Sequence, residues 1–439
     1  MSRKTTDMTR RGLLLSGGAG AVSLLLRGLA TGLPPAFLAN PHRAFAQGMG
    51  LAPQTLIFAT SQAGDPINCN APGAYVEGAE HPAEALLPSG NVRLGDARVT
   101  GAQAWQTLPN ALRQRLAVFH LQTRSVAHPE QPSTLACHGS VKNAAGNGAE
   151  MLPSMIAELA APGLNPLQAE PVPLAGEVIT FGGQPLQSVK PSELQALFAE
   201  RDAQIADLRG SRDAALDALY RDLQANGTRA QRSFLDRYAN SRVQARALGE
   251  QLAALLAQLP LDPDDVDGAQ DQVVAALALA RLRVAPVITL RLPFGGDNHN
   301  DSDLSVEAAE TTAGVARIGQ LWQGLVDAQL QDEVSFALLN VFGRNLVRNA
   351  AGGRNHNNEH GVMLAFGAGF RGGVYGGVSL ARGGLPIDPA TGEGRLDAAI
   401  PAAETLEAAA KTVTRGLGHD PEVIENRIRG GRIIDAALA

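Results

Sequence analysis

Short apolar runs alternate with longer amphipathic stretches along most of the chain. The short runs predict buried β-strands; they are TLIFAT (55–60), RLAVFHLQ (115–122), APVITLRL (285–292), VSFALLNVFG (334–343) and VMLAFG (362–367). In the longer stretches apolar residues recur at helical spacing; these predicted helices are 150–160, 268–282, 305–331 and 403–418. Because strands that alternate with helices form mostly parallel sheets covered on both faces, we predict a three-layer α/β domain.

Residues 191–259 interrupt this alternation. Apolar residues recur near helical spacing from Leu194 to Leu223, and Asn226-Gly227 is a typical helix stop. A second helical pattern covers residues 229–259. We therefore predict a helical hairpin inserted into the α/β domain, with the charged residues on its solvated face.

The first 46 residues have the pattern of an export signal. Paired Arg10 and Arg11 precede an apolar stretch, 12–26, that is short for a membrane span. This arrangement is typical of a twin-arginine signal, and the small residues of AFAQ (44–47) predict cleavage after Ala46. An uncleaved N-terminal anchor is the alternative. We expect a periplasmic or secreted domain, 47–439, that meets the twin-arginine translocase during export and no membrane afterwards.

Charge and cysteine content narrow the class of protein. The net charge of the whole chain is −6, but the first 46 residues hold six Lys/Arg and one Asp, so the remainder carries −11. Such an acidic domain disfavours nucleic-acid binding, which depends on the release of counterions from phosphates, whereas acidic loops suit divalent cations. Two cysteines make no disulfide framework, although one Cys69–Cys137 bridge is compatible with an oxidising compartment.

Clusters of polar residues follow four of the predicted strands. In open α/β sheets, ligand sites form at the carboxyl ends of strands. The clusters are Asp65 after the first strand, His128, Ser133, Thr134 and His138 after the second, Asp297, His299 and Asp301 after the third, and Asn355, His356, Asn357, Glu359 and His360 after the fourth. We therefore expect these loops to meet in one site.

A metal ion suits the donor atoms in these loops. Asp297 and His299 offer a carboxylate and an imidazole one residue apart in GGDNHND (295–301), and alternate side chains of a bent loop can reach one ion. Oxygen and nitrogen ligands suit zinc, manganese or iron, and oxygen ligands suit calcium. We predict a divalent-metal site with Zn, Mn or Ca; its candidate ligands are Asp65, Asp297, His299, Asn355, His356 and His360. Hydrated polar turns are the alternative.

A hydroxyl nucleophile fits the loop after the second strand. Ser133 or Thr134 could attack an ester if a helix begins there beside a metal, because helix amides bind phosphate or sulfate oxygens and the metal lowers the hydroxyl pKa. Helix capping is the alternative role for this pair. His138 either orients the loop or satisfies a backbone group, and His120, inside a predicted strand, is expected in the core.

The order of these motifs resembles the exported bacterial proteins known as the domain of unknown function 1501 family. The stretches that carry the resemblance are LIFATSQAGDPINCNAPGAY, PSTLACHGSVKNAAGNGAEMLPSMIAE, TLRLPFGGDNHND and NVFGRN…GGRNHNNEHG…GGVYGG, and it covers nearly all of 47–439. Asp297 and His299 fall on the family pattern Gly-Trp-Asp-x-His. Phe342-Gly343-Arg344 and Gly353-Arg354-Asn355-His356 fall on the patterns Phe-Gly-Arg and Gly-Arg-Asp-His.

That family is similar in fold to the alkaline phosphatase and sulfatase superfamily. The resemblance implies a metal centre at the strand ends and hydrolysis of phosphate or sulfate esters, with a small molecule or a polysaccharide as substrate. Ser133 or Thr134 would attack the ester, and Arg354 would bind the developing oxyanion. This chain has Asn355 where the family pattern has Asp, which leaves the ligand set less negative. That difference favours the alternative of a non-catalytic exported binding protein with a degenerate metal site.

Overall fold

The computed structural model describes residues 54–161, 170–174, 179–198, 203–228, 232, 247–258 and 261–439. The predicted export signal, 1–46, lies outside these residues. In the part of the chain that the structure describes, no helix is long and apolar enough to span a membrane.

The strands are short, and we number them in chain order. They are β1 (Thr55–Ser61), β2 (Ser89–Leu94), β3 (Ala97–Ala102), β4 (Leu116–Leu121), β5 (Val172–Pro173), β6 (Ile179–Phe181), β7 (Gln184–Leu186), β8 (Val287–Arg291), β9 (Val334–Asn340), β10 (Gly343–Arg344), β11 (His356–Asn357), β12 (Gly361–Phe366), β13 (Gly373–Tyr375), β14 (Val378–Ser379) and β15 (Gly383–Gly384). The five strands predicted from apolar runs are β1, β4, β8, β9 and β12, so those predictions are confirmed.

One seven-stranded sheet forms the centre of the molecule, in the order β13-β4-β12-β9-β1-β8-β5. Its pairings are parallel except for those of β12, which runs antiparallel to β4 and β9. All residues of β1, β4, β9 and β12 are buried, because a central sheet in an α/β protein is covered on both faces. The protein is therefore a mixed α/β structure with a mostly parallel central sheet, consistent with the predicted three layers.

The reversed direction of β12 matters for the loops. Because β12 runs against its neighbours, its first residues lie at the edge where β1, β4, β8 and β9 end. The connection from β9 to β12, residues 341–360, therefore starts and finishes at that one edge. The apolar run of β12 does not encode its direction, and the sequence did not predict this reversal.

Helices flank the sheet. They are α1 (Ile67–Asn70), α2 (Asn110–Arg113), α3 (Gln131–Leu135), α4 (Leu152–Ala160), α5 (Pro191–Phe198), α6 (Ala203–Asn226), α7 (Ala269–Arg281), α8 (Ser305–Asp327), α9 (Thr405–Gly416) and α10 (Pro421–Arg427). Helices α7 and α8 pack on each other, α4 and α7 contact β8, and α9 contacts β4. The four helices predicted outside 191–259 correspond to α4, α7, α8 and α9 and are confirmed.

The predicted insertion is helical where it is described. It contains α5, α6 and the helical residues 247–256, while 199–202 and most of 229–246 lie outside the described residues. Leu194 and Phe198 of α5 are buried, but Leu219 and Leu223 of α6 are 50% and 44% exposed. The pairing of two helices into a hairpin stays a prediction.

The two cysteines form no bridge. Cys137 is buried in the main hydrophobic core, whereas Cys69 lies in a small separate cluster with Leu346 and Val378. Burial raises the pKa of both thiols above the ordinary value, which keeps them protonated and unreactive at neutral pH.

Candidate metal centre

Three metal-binding side chains meet at the edge where the strands end. His128 comes from the loop after β4, Asp297 from the loop after β8, and His356 from β11, between β9 and β12. One ligand atom from each lies within 4.8 Å of the other two. We call these residues the His128–Asp297–His356 cluster.

Backbone carbonyls fix the orientation of both histidines in this cluster. The Nδ1 atom of His128 lies 2.7 Å from the carbonyl oxygen of Gln62, and Nδ1 of His356 hydrogen-bonds the carbonyl oxygen of Val126. Because a carbonyl only accepts, each Nδ1 carries the hydrogen, and in the neutral ring Nε2 is left with a free electron pair. Metal-binding histidines are typically held in this way.

The candidate ligand atoms of the cluster, Nε2 of each histidine and the carboxylate oxygens of Asp297, are electron-pair donors. Nε2 of His128 lies 3.4 Å from the carboxylate of Asp297. Burial is the main cause that lowers the pKa of His356 below its ordinary value, so this ring is neutral at pH 7. Partial burial raises the pKa of Asp297, but the hydrogen bond and charge of Arg344 outweigh it, and the net shift is downward. Two imidazole nitrogens and an ionised carboxylate therefore converge on a position that suits a cation.

Arg344 holds Asp297 from the interior. Its side chain is fully buried, and Nη2 donates to Asp297 Oδ1 at 2.8 Å. The same guanidinium donates to the carbonyl oxygens of Ala63 and Gly64, directly after β1. In the sequence Arg344 is only part of the motif Phe342-Gly343-Arg344, and its contact with Asp297 gives it a positioning role.

His299 lies beside the cluster. Its Nε2 atom is 2.9 Å from Nε2 of His356 and 3.4 Å from Asp297 Oδ1. The guanidinium of Arg344 is also 3.3 Å from this atom. The structure thus brings together three of the six predicted ligands, Asp297, His299 and His356. It adds His128, which the sequence placed in the same polar loops but not among the ligands.

Glycines shape the loop that carries Asp297. Gly295 and Gly296 have φ values of +114° and +55°, in the region that L-residues with side chains rarely adopt. Gly353 on the facing loop approaches so closely that a β-carbon there would lie 2.2 Å from the carbonyl oxygen of Asn298. The glycines of GGDNHND and GGRNH therefore allow the two loops to turn and touch.

His360 lies outside the cluster, contrary to its predicted role as a ligand. It is fully buried, and its Nε2 is 2.9 Å from Nδ1 of His120, whose own Nε2 donates to the Pro72 carbonyl. Its Nδ1 accepts from Asn68, which also bonds the backbone N–H and carbonyl of Arg344. Burial lowers the pKa of His120 to about 4 and that of His360 well below its ordinary value. These uncharged, hydrogen-bonded side chains hold the backbone of Arg344 in place. His120 is a core residue, as expected.

Arg354 is also placed differently from its predicted role. Its guanidinium pairs with Glu307 through two contacts, Nε–Oε2 at 2.7 Å and Nη2–Oε1 at 3.0 Å, with both side chains fully buried. Its remaining bonds are to the carbonyl oxygens of Asn345 and Glu80. A guanidinium so engaged in the interior is not free to bind an ester oxyanion. Glu307 also accepts a hydrogen bond from Asn298 at 2.7 Å. The ion pair therefore connects the 295–301 loop, which carries Asn298, to the loop that carries Arg354.

Asn355 is exposed, and its side-chain oxygen accepts a hydrogen bond from Asn349. The Asn355 oxygen therefore faces a neighbour in its own loop. The absence of an acid at this position leaves the His128–Asp297–His356 cluster intact.

Asp65 is a buried carboxyl with one oxygen unpaired. It is fully buried, Oδ1 has no hydrogen-bond partner among the described residues, and Oδ2 accepts from Asn340 at 3.4 Å. Burial raises its pKa to about 6. It is not part of the His128–Asp297–His356 cluster.

We predict that Asp65→Asn stabilises the protein at pH 8 and has no such effect at pH 4. The folded state keeps the proton of Asp65 up to a pKa of about 6, whereas the unfolded chain loses it near 3.9. Stability therefore falls as pH rises between these values, by about 3 kcal/mol for a shift of this size. Thermal melts of wild type and Asp65→Asn at both pH values measure the effect. Exposed Asp96→Asn is the control, and a lower melting temperature for Asp65→Asn at pH 8 would contradict the prediction.

The structure separates the two candidate nucleophiles on α3. Thr134 is buried, and its hydroxyl donates to the carbonyl oxygen of Val341 at 2.9 Å and accepts from Ser125. Ser133 is exposed, and its Oγ lies 3.2 Å from Nδ1 of His138. Only one of the two hydroxyls is therefore accessible to a substrate.

Comparison with known proteins gives no further guide to the site. No family model matches the chain, and no curated protein matches it in sequence.

Proposed function

We propose that this chain is an exported, metal-dependent hydrolase of phosphate or sulfate esters, on an α/β fold similar to that of alkaline phosphatases and sulfatases. The observation that carries the proposal is the convergence of His128, Asp297 and His356. Both imidazoles are anchored through Nδ1, and Nε2 of His128 lies 3.4 Å from the Asp297 carboxylate. Export rests on the twin-arginine pattern of residues 1–46, with a periplasmic or secreted location as its consequence.

The donor set fits a transition metal better than calcium. His128, Asp297 and His356 would hold the ion, with His299 as an adjacent fourth ligand. Imidazole-rich sets with one carboxylate are typical of zinc and also suit manganese, whereas calcium prefers six to eight oxygens. When bound, such an ion polarises an ester oxygen and lowers the pKa of a nearby hydroxyl.

The residues of the chain supply orientation and charge. Arg344 keeps Asp297 ionised and fixed. The Glu307–Arg354 pair holds together the loops that carry Asp297 and His356. Ser133 is exposed on α3, in the segment after β4 that also carries His128, and is the candidate to attack phosphorus or sulfur. Preorganised groups of this kind reduce the reorganisation needed in the transition state.

We expect the protein to hydrolyse an aryl phosphate or an aryl sulfate only when metal is present. Removal of metal with a chelator should abolish turnover, and zinc or manganese should restore it. His128→Ala should be inactive, while His419→Ala, at a half-buried histidine outside the cluster, should retain activity. Initial rates with both esters provide the measurement.

The same assay distinguishes the alternative. Stoichiometric metal binding without hydrolysis of either ester would favour a non-catalytic exported binding protein. Undiminished hydrolysis in excess chelator would contradict the metal-dependent mechanism.

A further inference from the structure

Ser133 and His138 form a hydrogen-bonded pair whose proton positions can be assigned. His138 Nε2 lies 2.7 Å from the carbonyl oxygen of Thr123. Since that oxygen only accepts, Nε2 carries the hydrogen and the neutral ring has its free electron pair on Nδ1. The hydroxyl of Ser133, with Oγ 3.2 Å from Nδ1, therefore donates to His138. Ser133 as nucleophile, His138 as base and the Thr123 carbonyl as the acceptor that orients the base are therefore arranged as nucleophilic catalysis requires.

The backbone bends sharply to bring His138 over Ser133. After α3 ends at Leu135, Cys137 and His138 both adopt left-handed conformations, with φ values of +45° and +51°. Such conformations are uncommon for residues other than glycine and cost energy that the surroundings must offset. Cys137 is fully buried in the core, so packing holds the turn in place. Strain of this kind clusters at functional sites.

The loop that supports this pair also supports the candidate metal centre. The carbonyl oxygen of Thr123 accepts a hydrogen bond from His138. Three residues further along the chain, the carbonyl oxygen of Val126 accepts a hydrogen bond from His356. The hydrogen bond between Ser125 and Thr134, at 2.7 Å, joins this segment to α3. The serine–histidine pair and the His128–Asp297–His356 cluster are thus built on one segment after β4.

We propose that His138 is the general base that takes the proton of Ser133, the candidate nucleophile, in the cleavage of phosphate or sulfate monoesters. The nucleophile and the substrate class rest on the proposed function, and the role of His138 goes beyond it. For a phosphate ester, Ser133 Oγ attacks phosphorus, and the bond from phosphorus to the leaving alcohol breaks. The hydroxyl proton moves to His138 Nδ1 and then to the departing oxygen. Water next attacks phosphorus and gives its proton to His138. The Oγ–P bond breaks, and Ser133 recovers the proton.

Diisopropyl fluorophosphate tests the pair without depending on the metal. An activated serine forms an Oγ–P bond with this reagent, fluoride leaves, and the base takes the hydroxyl proton. We expect one adduct by intact mass, mapped to Ser133 by peptide mass spectrometry, in both metal-free and zinc-loaded full-length protein. Ser133→Ala should give no adduct, and Ser302→Ala, at another exposed serine, should be labelled like wild type.

His138→Asn is the variant that tests the base. Asparagine tolerates the left-handed backbone of position 138 but cannot take the proton, so labelling should slow by about 100-fold, with an unchanged melting temperature. Absence of an adduct at Ser133, or labelling that His138→Asn does not slow, overturns the proposal. If zinc-dependent ester hydrolysis persists in that case, the proposed function stands without the pair. Labelling of Ser133 in a protein with no zinc-dependent hydrolysis supports the pair and refutes the proposed function.

Discussion

Replacement of His356 by alanine should lower the affinity for zinc by more than about 100-fold. The loss of an outer partner of a ligand already costs 10–100-fold in metal affinity, and His356 is expected to be a ligand itself. Nε2 of its ring lies 2.9 Å from Nε2 of His299, Nδ1 is held by the Val126 carbonyl, and a ligand atom of the ring lies within 4.8 Å of one from Asp297. Competition with a chromophoric chelator measures the affinity.

Two variants complete this test. Asp297→Asn keeps the shape of the side chain and removes its charge, so its zinc affinity should also fall. His419→Ala should bind zinc like wild type. A His356→Ala protein with wild-type zinc affinity would show that the convergence of these side chains has a structural role alone.

Removal of one partner from the Glu307–Arg354 pair should destabilise the protein by about 3–5 kcal/mol. Both side chains are fully buried, so Arg354→Met leaves an uncompensated carboxylate and Glu307→Gln an uncompensated guanidinium. The double variant Glu307→Gln/Arg354→Met should be less destabilised than the sum of the two single variants. Urea denaturation of the four proteins measures these differences.

This prediction separates a structural role of Arg354 from a catalytic one. An arginine that bound the ester oxyanion would lower turnover when replaced, with little loss of stability. Arg354→Met with unchanged stability and reduced hydrolysis would therefore contradict the structural role. The conservative variant Arg354→Lys should also be unstable, because lysine cannot reproduce the two parallel contacts to Glu307.

The strands were predictable because burial on both faces requires continuous apolar runs. β1, β4, β8, β9 and β12 each read as such a run. Their order and direction depend instead on long-range pairings, such as that of β12 with β4, and local patterns do not encode them. Leu219 and Leu223 continue the helical spacing on α6 but are 50% and 44% exposed, since periodicity shows that an apolar face exists but not whether another element covers it.

The site was predictable in part. Polar residues after buried strands indicated the correct loops, and Asp297, His299 and His356 do lie together. The sequence could not separate His356 from His360, four residues apart, because the second enters the core against His120. Nor could it show that Arg354 meets Glu307, 47 positions earlier. The signal for His128 in the sequence is its place in the second polar loop.

The crystal structure of the zinc-loaded protein, with anomalous diffraction at the zinc edge, tests the central claim most directly. We predict one anomalous peak within about 2.0–2.2 Å of Nε2 of His128, Nε2 of His356 and a carboxylate oxygen of Asp297. A zinc-saturated crystal with no peak among these three side chains would contradict it.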